Sequence, residues 1–337
     1  VELSARIVRL QLAETFVISR ESADFYDVVQ VELRHDGVVG YGEAAPIERY
    51  DETAESALAF VEEYADLLGD DPFALEAIGG VLGALDGEQA AKSALDAALH
   101  DLVGKLVGAP VWRLLGLPRT GPPTSWTVWL GDPDDMARRA ERVASRFRRL
   151  KLKLGGGDGL DVERVRAVRG VTDLPLTVDV NEWWSVDEAL EALPQLAALG
   201  VEYCEQPLRA DDPGGETLRE RSPLPVYLDE DCHTSADVPR CAELGHGVNI
   251  KLAKAGGIRE AVRIAHVARA LGLGVMLGCM VESGLGIAAG CVVAPLCDHV
   301  DLDGNLLLAD DPFPGPTLSD GVQVPADEPG LGVRTKA

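Results

Sequence analysis

Lys151-Leu152-Lys153-Leu154 alternates charge with aliphatic side chains, the period of two that marks a strand. Ile250-Lys251-Leu252-Ala253-Lys254 comes close to repeating it. The chain has 31 cationic residues, of which seven are lysines, and these two short segments hold four of the seven. Arginine keeps its proton near neutral pH, whereas a desolvated lysine, or one beside another cation, can release it. Lysines gathered into apolar strands therefore point to proton chemistry.

The two segments belong to a series. Beyond Pro122-Pro123, strand-like runs fall at 125–130, 149–154, 174–180, 201–205, 225–229, 248–252, 274–279 and 299–302. Helical patterns at 133–146, 162–170, 185–199 and 258–271 separate several of them. Eight strands, each followed by a helix pattern or a polar loop, read as a β/α barrel, with a doubly wound sheet as the alternative. Gly155-Gly156-Gly157-Asp158-Gly159 follows a strand but lacks the spacing of a dinucleotide-binding turn. Ahead of the barrel, residues 1–45 read as strands with a turn at His35-Asp36-Gly37. Residues 52–108 turn helical, with Ala90, Ala94, Ala97 and Ala98 giving a small-residue face that ends near Gly104. The expected organisation is an α+β capping domain over 1–115, a barrel with the active site over 116–304, and a C-terminal segment, 305–337, packed back on the cap.

A net charge of −25 argues against nucleic acid and anionic membrane as partners. With 46% hydrophobic residues and no run of 18 apolar residues, the chain reads as globular, without a membrane span. Val1 to Leu12 carries Glu2, Arg6 and Arg9, which is not a secretory pattern. The six cysteines form no C-x-x-C pair and lie mostly in apolar segments, so buried free thiols in a reducing cytoplasm are expected. The scattered histidines argue against zinc.

Polar residues at the C-terminal ends of barrel strands face one mouth. Three consecutive strands end on Asp179, Glu205 and Asp229, oxygen donors that suit a hard divalent cation such as Mg²⁺. Lys153 and Lys251 come from strands nearly opposite each other, so that their ammonium groups approach a central ligand from two faces. Beside a cation either can act as a base. Lys151 is placed to neutralise a substrate oxygen, and Lys254 to pair with an acid at the rim.

These residues resemble the enolase superfamily, within its muconate-lactonizing subgroup. The resemblance rests on Lys151-Leu152-Lys153, Asp179-Val180-Asn181, Glu205-Gln206-Pro207, Asp229-Glu230, the run from Asn249 to Gly257, and the cap segment Gly40-Tyr41-Gly42-Glu43. It implies a modified TIM barrel, (β/α)7β, with an α+β N-terminal capping domain. It also implies Mg²⁺ at Asp179, Glu205 and Asp229 and acid/base roles for Lys153 and Lys251. Asp301-Leu302-Asp303 is similar to the D-x-D motif with which dipeptide epimerases of this subgroup hold a free ammonium group. Two carboxylates on one face of a strand end make a compact anionic clamp. Gly278-Cys279-Met280-Val281-Glu282-Ser283 is similar to the family's seventh-strand segment and puts Cys279 among the substrate contacts.

The expected activity is that of a Mg²⁺-dependent dipeptide epimerase. One lysine removes the α-proton of the C-terminal residue, an enediolate forms, and the other lysine returns a proton to the opposite face. Side-chain selection is assigned to the cap loops Phe16 to Ser22 and Ile47 to Thr53. There Arg20 would favour an Ala-Glu type substrate, and Glu48, Asp51 and Glu52 a cationic one. An o-succinylbenzoate synthase, an N-acylamino acid racemase or a muconate cycloisomerase would share the lysines and acids but have no use for an ammonium clamp. A barrel relic that only binds is the non-enzymatic alternative. The expected partner is a small dipeptide, with homo-oligomer formation left open.

Overall fold

The computed structural model describes residues 1–334, so the last three residues of the C-terminal segment lie outside the described residues. Strands β1 (Glu2–Val17), β2 (Ser22–His35) and β3 (Val38–Ala44) form an antiparallel meander. Asp36 and Gly37 both take positive φ, 48° and 77°, as a two-residue turn between right-twisted strands requires. Helices α1 (Ala54–Glu63), α2 (Leu75–Gly83), α3 (Gln89–Val107) and α4 (Val111–Leu114) follow. Helix α3 is buried from Ala90 to Gly104. Its alanine face lets β3 lie so close that a Cβ on Gly40 or Gly42 would collide with the carbonyls of Ala98 and Ala94.

All eight expected barrel runs appear, mostly as shorter strands. They are β4 (Trp126–Val128), β5 (Leu150–Lys153), β6 (Leu176–Asp179), β7 (Val201–Glu205), β8 (Val226–Leu228), β9 (Gly247–Ile250), β10 (Gly274–Leu277) and β11 (His299–Val300). Neighbours pair in parallel in chain order throughout. A parallel bridge between Thr124 and Val300 joins the two edges, with Ser125 N–H donating to the Val300 carbonyl at 2.9 Å. The connections carry α5 (Pro133–Val143), α6 (Asp161–Arg169), α7 (Val186–Ala198), α8 (Gly215–Arg221), α9 (Val238–Leu244), α10 (Leu252–Ala255), α11 (Ile258–Ala270) and α12 (Gly284–Val293). This is the expected (β/α)7β barrel with a separate antiparallel sheet ahead of it; the doubly wound alternative fails because the sheet edges meet. Strands β12 (Thr317–Ser319) and β13 (Val322–Val324) make a small hairpin in the C-terminal segment. Among the described residues no helix is long and apolar enough to cross a membrane.

Two contacts set the antiparallel sheet over the barrel, and a third ties the C-terminal segment to the sheet and α3. The turn between β1 and β2 reaches the mouth, where Ser19 Oγ donates to the Asn181 carbonyl at 3.3 Å and Leu130 N–H to that of Val17 at 2.9 Å. The C-terminal segment ties in through Leu331 N–H, which donates to Asp101 Oδ1 at 2.7 Å, while Tyr41 N–H donates to Asp101 Oδ2 at 2.8 Å. Glu43, on β3, receives both the backbone N–H and the hydroxyl of Ser283, the residue that caps α12.

Burial, with the nearby Glu282 and Asp311 charges adding, pushes the Glu43 carboxyl up to about 8 despite the Ser283 bonds. An unfolded glutamate titrates near ~4.3. A raised folded value means that the contribution of this group is fully present below the unfolded value and is lost as pH rises through about 8. Glu43→Gln removes the titration and keeps the shape. Thermal midpoints at pH ~5 and pH ~8.5 should therefore move against wild type relative to Glu43→Gln as pH rises. Parallel pH curves for the two proteins would disprove a buried neutral Glu43.

Candidate active site

The polar residues expected at the barrel mouth do collect there. Lys153, Asp179 and Glu205 are the last residues of β5, β6 and β7, and they sit in register as neighbouring pairs. Asp229, Lys251 and Asp301 each lie one residue past the end of β8, β9 and β11. A pocket at this end is walled by Lys151, Lys153, Lys251, Cys279, Asp301 and Asp303 from the barrel, and by Phe16, Ile18, Arg20 and Ile47 from the antiparallel domain.

Beneath the pocket the charges interlock. Lys151 Nζ lies 3.0 Å from Asp179 Oδ2, 2.7 Å from Glu205 Oε2 and 2.9 Å from Asp301 Oδ2. Lys153 Nζ donates to Asp179 Oδ2 at 2.7 Å and to Asn181 Oδ1 at 3.2 Å. Lys251 Nζ is 2.7 Å from Asp229 Oδ2. Lys254 Nζ is 2.6 Å from Asp229 Oδ1 and also donates to the Asp229 carbonyl. This corrects the rim placement of Lys254. It is buried, because the short α10 turns the chain back beneath the strand end.

The electrostatics follow from burial set against pairing. Burial works against the charge on Asp179, but Lys151, Lys153 and Lys251 outweigh it and hold the carboxyl below its usual range. Burial is likewise overcome at Asp229, by Lys251 and Lys254. Glu205 goes the other way. Burial and the Asp179 charge push it up to about 7 in spite of Lys151. Lys151 and Lys251 are desolvated, yet the surrounding carboxylates raise both above the ordinary lysine value.

Asp301 and Asp303, expected as a clamp, are also inside. Asp303 Oδ2 accepts from Thr127 N–H at 2.6 Å, and burial, with Asp301 adding, pushes its carboxyl up to about 7. Asp301 Oδ1 is buried with no hydrogen-bond partner. Two acids of raised or unmet polarity on one wall are what a positively charged group would relieve. Cys279 is half-buried in the wall, and burial, with the Asp303, Glu282 and Asp301 charges, keeps it a neutral thiol.

Two expectations for the cap loops meet different surroundings. Arg20 lines the pocket, but its guanidinium donates to Glu230 Oε1 at 2.8 Å and lies 3.6 Å from Glu182 Oε2. Glu52 faces away from the mouth and accepts from Gln89 N–H at 2.6 Å and Ala90 N–H at 3.1 Å at the start of α3, where a carboxylate satisfies free helix donors. Glu48 and Asp51 are exposed. Sequence reasoning assigned no role to Glu230, Thr127 or Asn249. Glu230 stood inside the Asp229-Glu230 motif, but nothing local joined it to Arg20.

The donor set fits a hard divalent cation. Asp179, Glu205 and Asp229 supply carboxylate oxygens from adjacent strands, all three fully buried. Glu205 Oε2 and Asp229 Oδ2 make no hydrogen bond and are met only by lysine ammonium charge. Among the described residues no three acidic, histidine or cysteine side chains already form a cage, because lysines stand between the acids.

The chain is similar to known proteins over most of its length. Residues 2–116 match the N-terminal domain of mandelate racemase / muconate lactonizing enzyme, and residues 135–337 match the enolase C-terminal domain-like family. An L-Ala-D/L-Glu epimerase of Bacteroides thetaiotaomicron is 39% identical over 330 residues, covering 96% of this chain and 85% of the relative. A substrate-liganded L-Ala-D/L-Glu epimerase from Bacillus subtilis superposes with a TM-score of 0.95 at 31% identity, covering 100% of this chain and 99% of that one. A dipeptide epimerase from Enterococcus faecalis, complexed with Mg and L-Leu-L-Tyr, gives a TM-score of 0.94 at 30% identity over 98% of both chains.

Lys151 is the common counter-charge of three buried acids. Lys151→Met should lower unfolding free energy by about 3 kcal/mol or more in chelator-treated protein, the scale for unpairing a buried ion pair. Denaturant melts in EDTA would measure it, and a loss under about 1 kcal/mol would refute the role.

Proposed function

This chain belongs to the mandelate racemase / muconate lactonizing enzyme family of the enolase superfamily, and from that premise we propose that it is a Mg²⁺-dependent dipeptide epimerase. It inverts the α-carbon of the C-terminal residue by two-base proton transfer between Lys153 and Lys251. One observation carries the reading. The two lysines enter a single pocket from strands on opposite sides of the barrel, and the Asp301/Asp303 pair enters the same pocket between them.

Each residue has a distinct task. Asp301 and Asp303 bind the substrate ammonium and so fix which carbon lies between the lysines. Asp179, Glu205 and Asp229 would hold Mg²⁺, whose charge, when bound, makes the α-proton and the neighbouring ammonium groups more acidic. One lysine takes the α-proton as a neutral amine. The planar enediolate carries its extra charge on the carboxylate oxygens, and Lys151 offsets it. The opposite lysine, protonated, delivers its proton to the other face. Cys279 contributes wall surface only. The free ammonium requirement separates this activity from acyl-substrate racemisation, lactonisation and the o-succinylbenzoate reaction.

In heavy water a dipeptide substrate should gain one deuterium at the α-carbon of its C-terminal residue as it inverts. Lys153→Ala and Lys251→Ala should each lower epimerisation about 10³-fold or more. Each variant should keep exchange for one diastereomer only, and not the same one. Inversion without solvent deuterium would overturn the mechanism. Separately, N-acetylation of the dipeptide, or Asp301→Asn with Asp303→Asn, should reduce kcat/KM about 100-fold, mainly through KM. Equal turnover of the acetylated substrate would instead favour an N-acylamino acid racemase.

A further inference from the structure

The site also constrains the substrate's side chains, an inference that rests on the epimerase reading. When the α-proton leaves, the α-carbon becomes planar, and the two lysines approach along the normal to that plane. Its three remaining substituents lie in the plane. The carboxylate points toward the acids of β6–β8, and the amide nitrogen points toward Asp301 and Asp303 beside β4 and β11. The third substituent is the side chain. It has one way to go, since the barrel interior below is filled by the buried layer of Lys151, Glu205 and Asn249. It points up, at the cap loops.

Those loops present apolar surface. Ile18 and Ala45 are almost fully buried, and Pro46 and Ile47 complete the facing wall. The cation there, Arg20, is already held by Glu230 at 2.8 Å, with Glu182 at 3.6 Å, and Glu182 also takes Arg49 at 2.8 Å. Of the acids on the wall, Asp27 is paired with Arg9 at 2.8 Å, and Glu21, which is exposed, accepts from the Tyr26 hydroxyl at 2.8 Å. Arg20 meets Glu230 and Glu182 through Nη1, so the charge that a substrate carboxylate would find there is already offset by two acids, and one Glu230 oxygen lacks a hydrogen bond as it is. On the clamp side, the residue that bears the ammonium meets Val281 and Leu307, which pack with Phe16 and Tyr26 in one apolar cluster.

We propose that the preferred substrates are dipeptides with apolar side chains on both residues, the inverted one read by Ile18 and Ile47, and that Arg20 holds the lid to the barrel rather than receiving a substrate carboxylate. Selection here works by apolar wall surface against which an ionic side chain would lose water, with the charge of Arg20 already offset by Glu230 and Glu182.

The test uses the full chain with Mg²⁺ and three probes, L-Leu-L-Leu, L-Ala-L-Glu and L-Ala-L-Lys, followed by mass shift in heavy water. Leu-Leu should exceed each ionic dipeptide in kcat/KM by roughly 10–100-fold. If Ala-Glu or Ala-Lys equals or exceeds Leu-Leu, this inference is overturned while the epimerase reading stands. If no dipeptide exchanges, both fall. Ile47→Arg then supplies a free cation at the lid and should raise the Ala-Glu to Leu-Leu ratio about tenfold or more. An unchanged ratio in a variant of wild-type thermal midpoint would overturn the assignment of Ile47 to the side-chain wall.

Discussion

A buried ammonium group beside a buried carboxylate is tolerated only as part of a set, and the barrel mouth is built on that constraint. Taking either ion out of water alone costs more than a typical domain can spare. Here Lys151, Lys153, Lys251 and Lys254 each touch at least one of Asp179, Glu205, Asp229 and Asp301. Removing one member exposes the others to an unmet desolvation cost. Glu205 within the set, and Glu230 and Asp303 at its margin, are each pushed up to about 7 by burial and neighbouring negative charge. They stand close to the point of ionisation, so added positive charge draws their protons off at little cost.

The barrel supplies the spacing this set needs. Adjacent parallel strands lie ~4.8 Å apart, which brings side chains at matched positions within ion-pair reach. The register makes Lys153, Asp179 and Glu205 such matched positions. Curling the sheet until Thr124 meets Val300 carries Asp301 to within 2.9 Å of Lys151 Nζ, though the two are 150 residues apart in sequence. An open doubly wound sheet would leave these ends far apart. The mouth then has to be shielded from bulk water, which would weaken each of these pairs. The β1–β2 turn and the loop after β3 provide that cover, and the Glu43–Ser283 contact fixes their sheet to the barrel.

How much could be read from the chain depended on the range of the interaction involved. Strand period and the polar residue at each strand end are local signals, and they placed Lys153, Asp179, Glu205, Asp229, Lys251 and Asp301 at one mouth. The alanine face of α3 was legible for the same reason. Pairing across the fold was not. Arg20 read as an unclaimed cation because Glu230 lies 210 residues away. Glu52 read as a cap-loop acid that could favour a cationic substrate, yet its partners are the first amide groups of α3, 37 and 38 residues on. Lys254 read as a rim residue because nothing in its neighbourhood announces that α10 folds it under Asp229. In each case the residue type was visible and its partner was not.

This division bears on how such a site changes. The lysines proposed to move the proton sit at strand ends, where packing of the barrel fixes them, and the proposed side-chain wall sits on cap loops, which can vary without disturbing the strands. Arg20 breaks the separation, because it comes from a cap loop and neutralises Glu230, the residue next to Asp229. A substrate carboxylate drawn to Arg20 would share its guanidinium with Glu230 and weaken the offset of that buried acid beside Asp229. A change of substrate charge that works through Arg20 is therefore felt at the barrel mouth as well. Through that ion pair the strand ends below constrain this one position of the loops above.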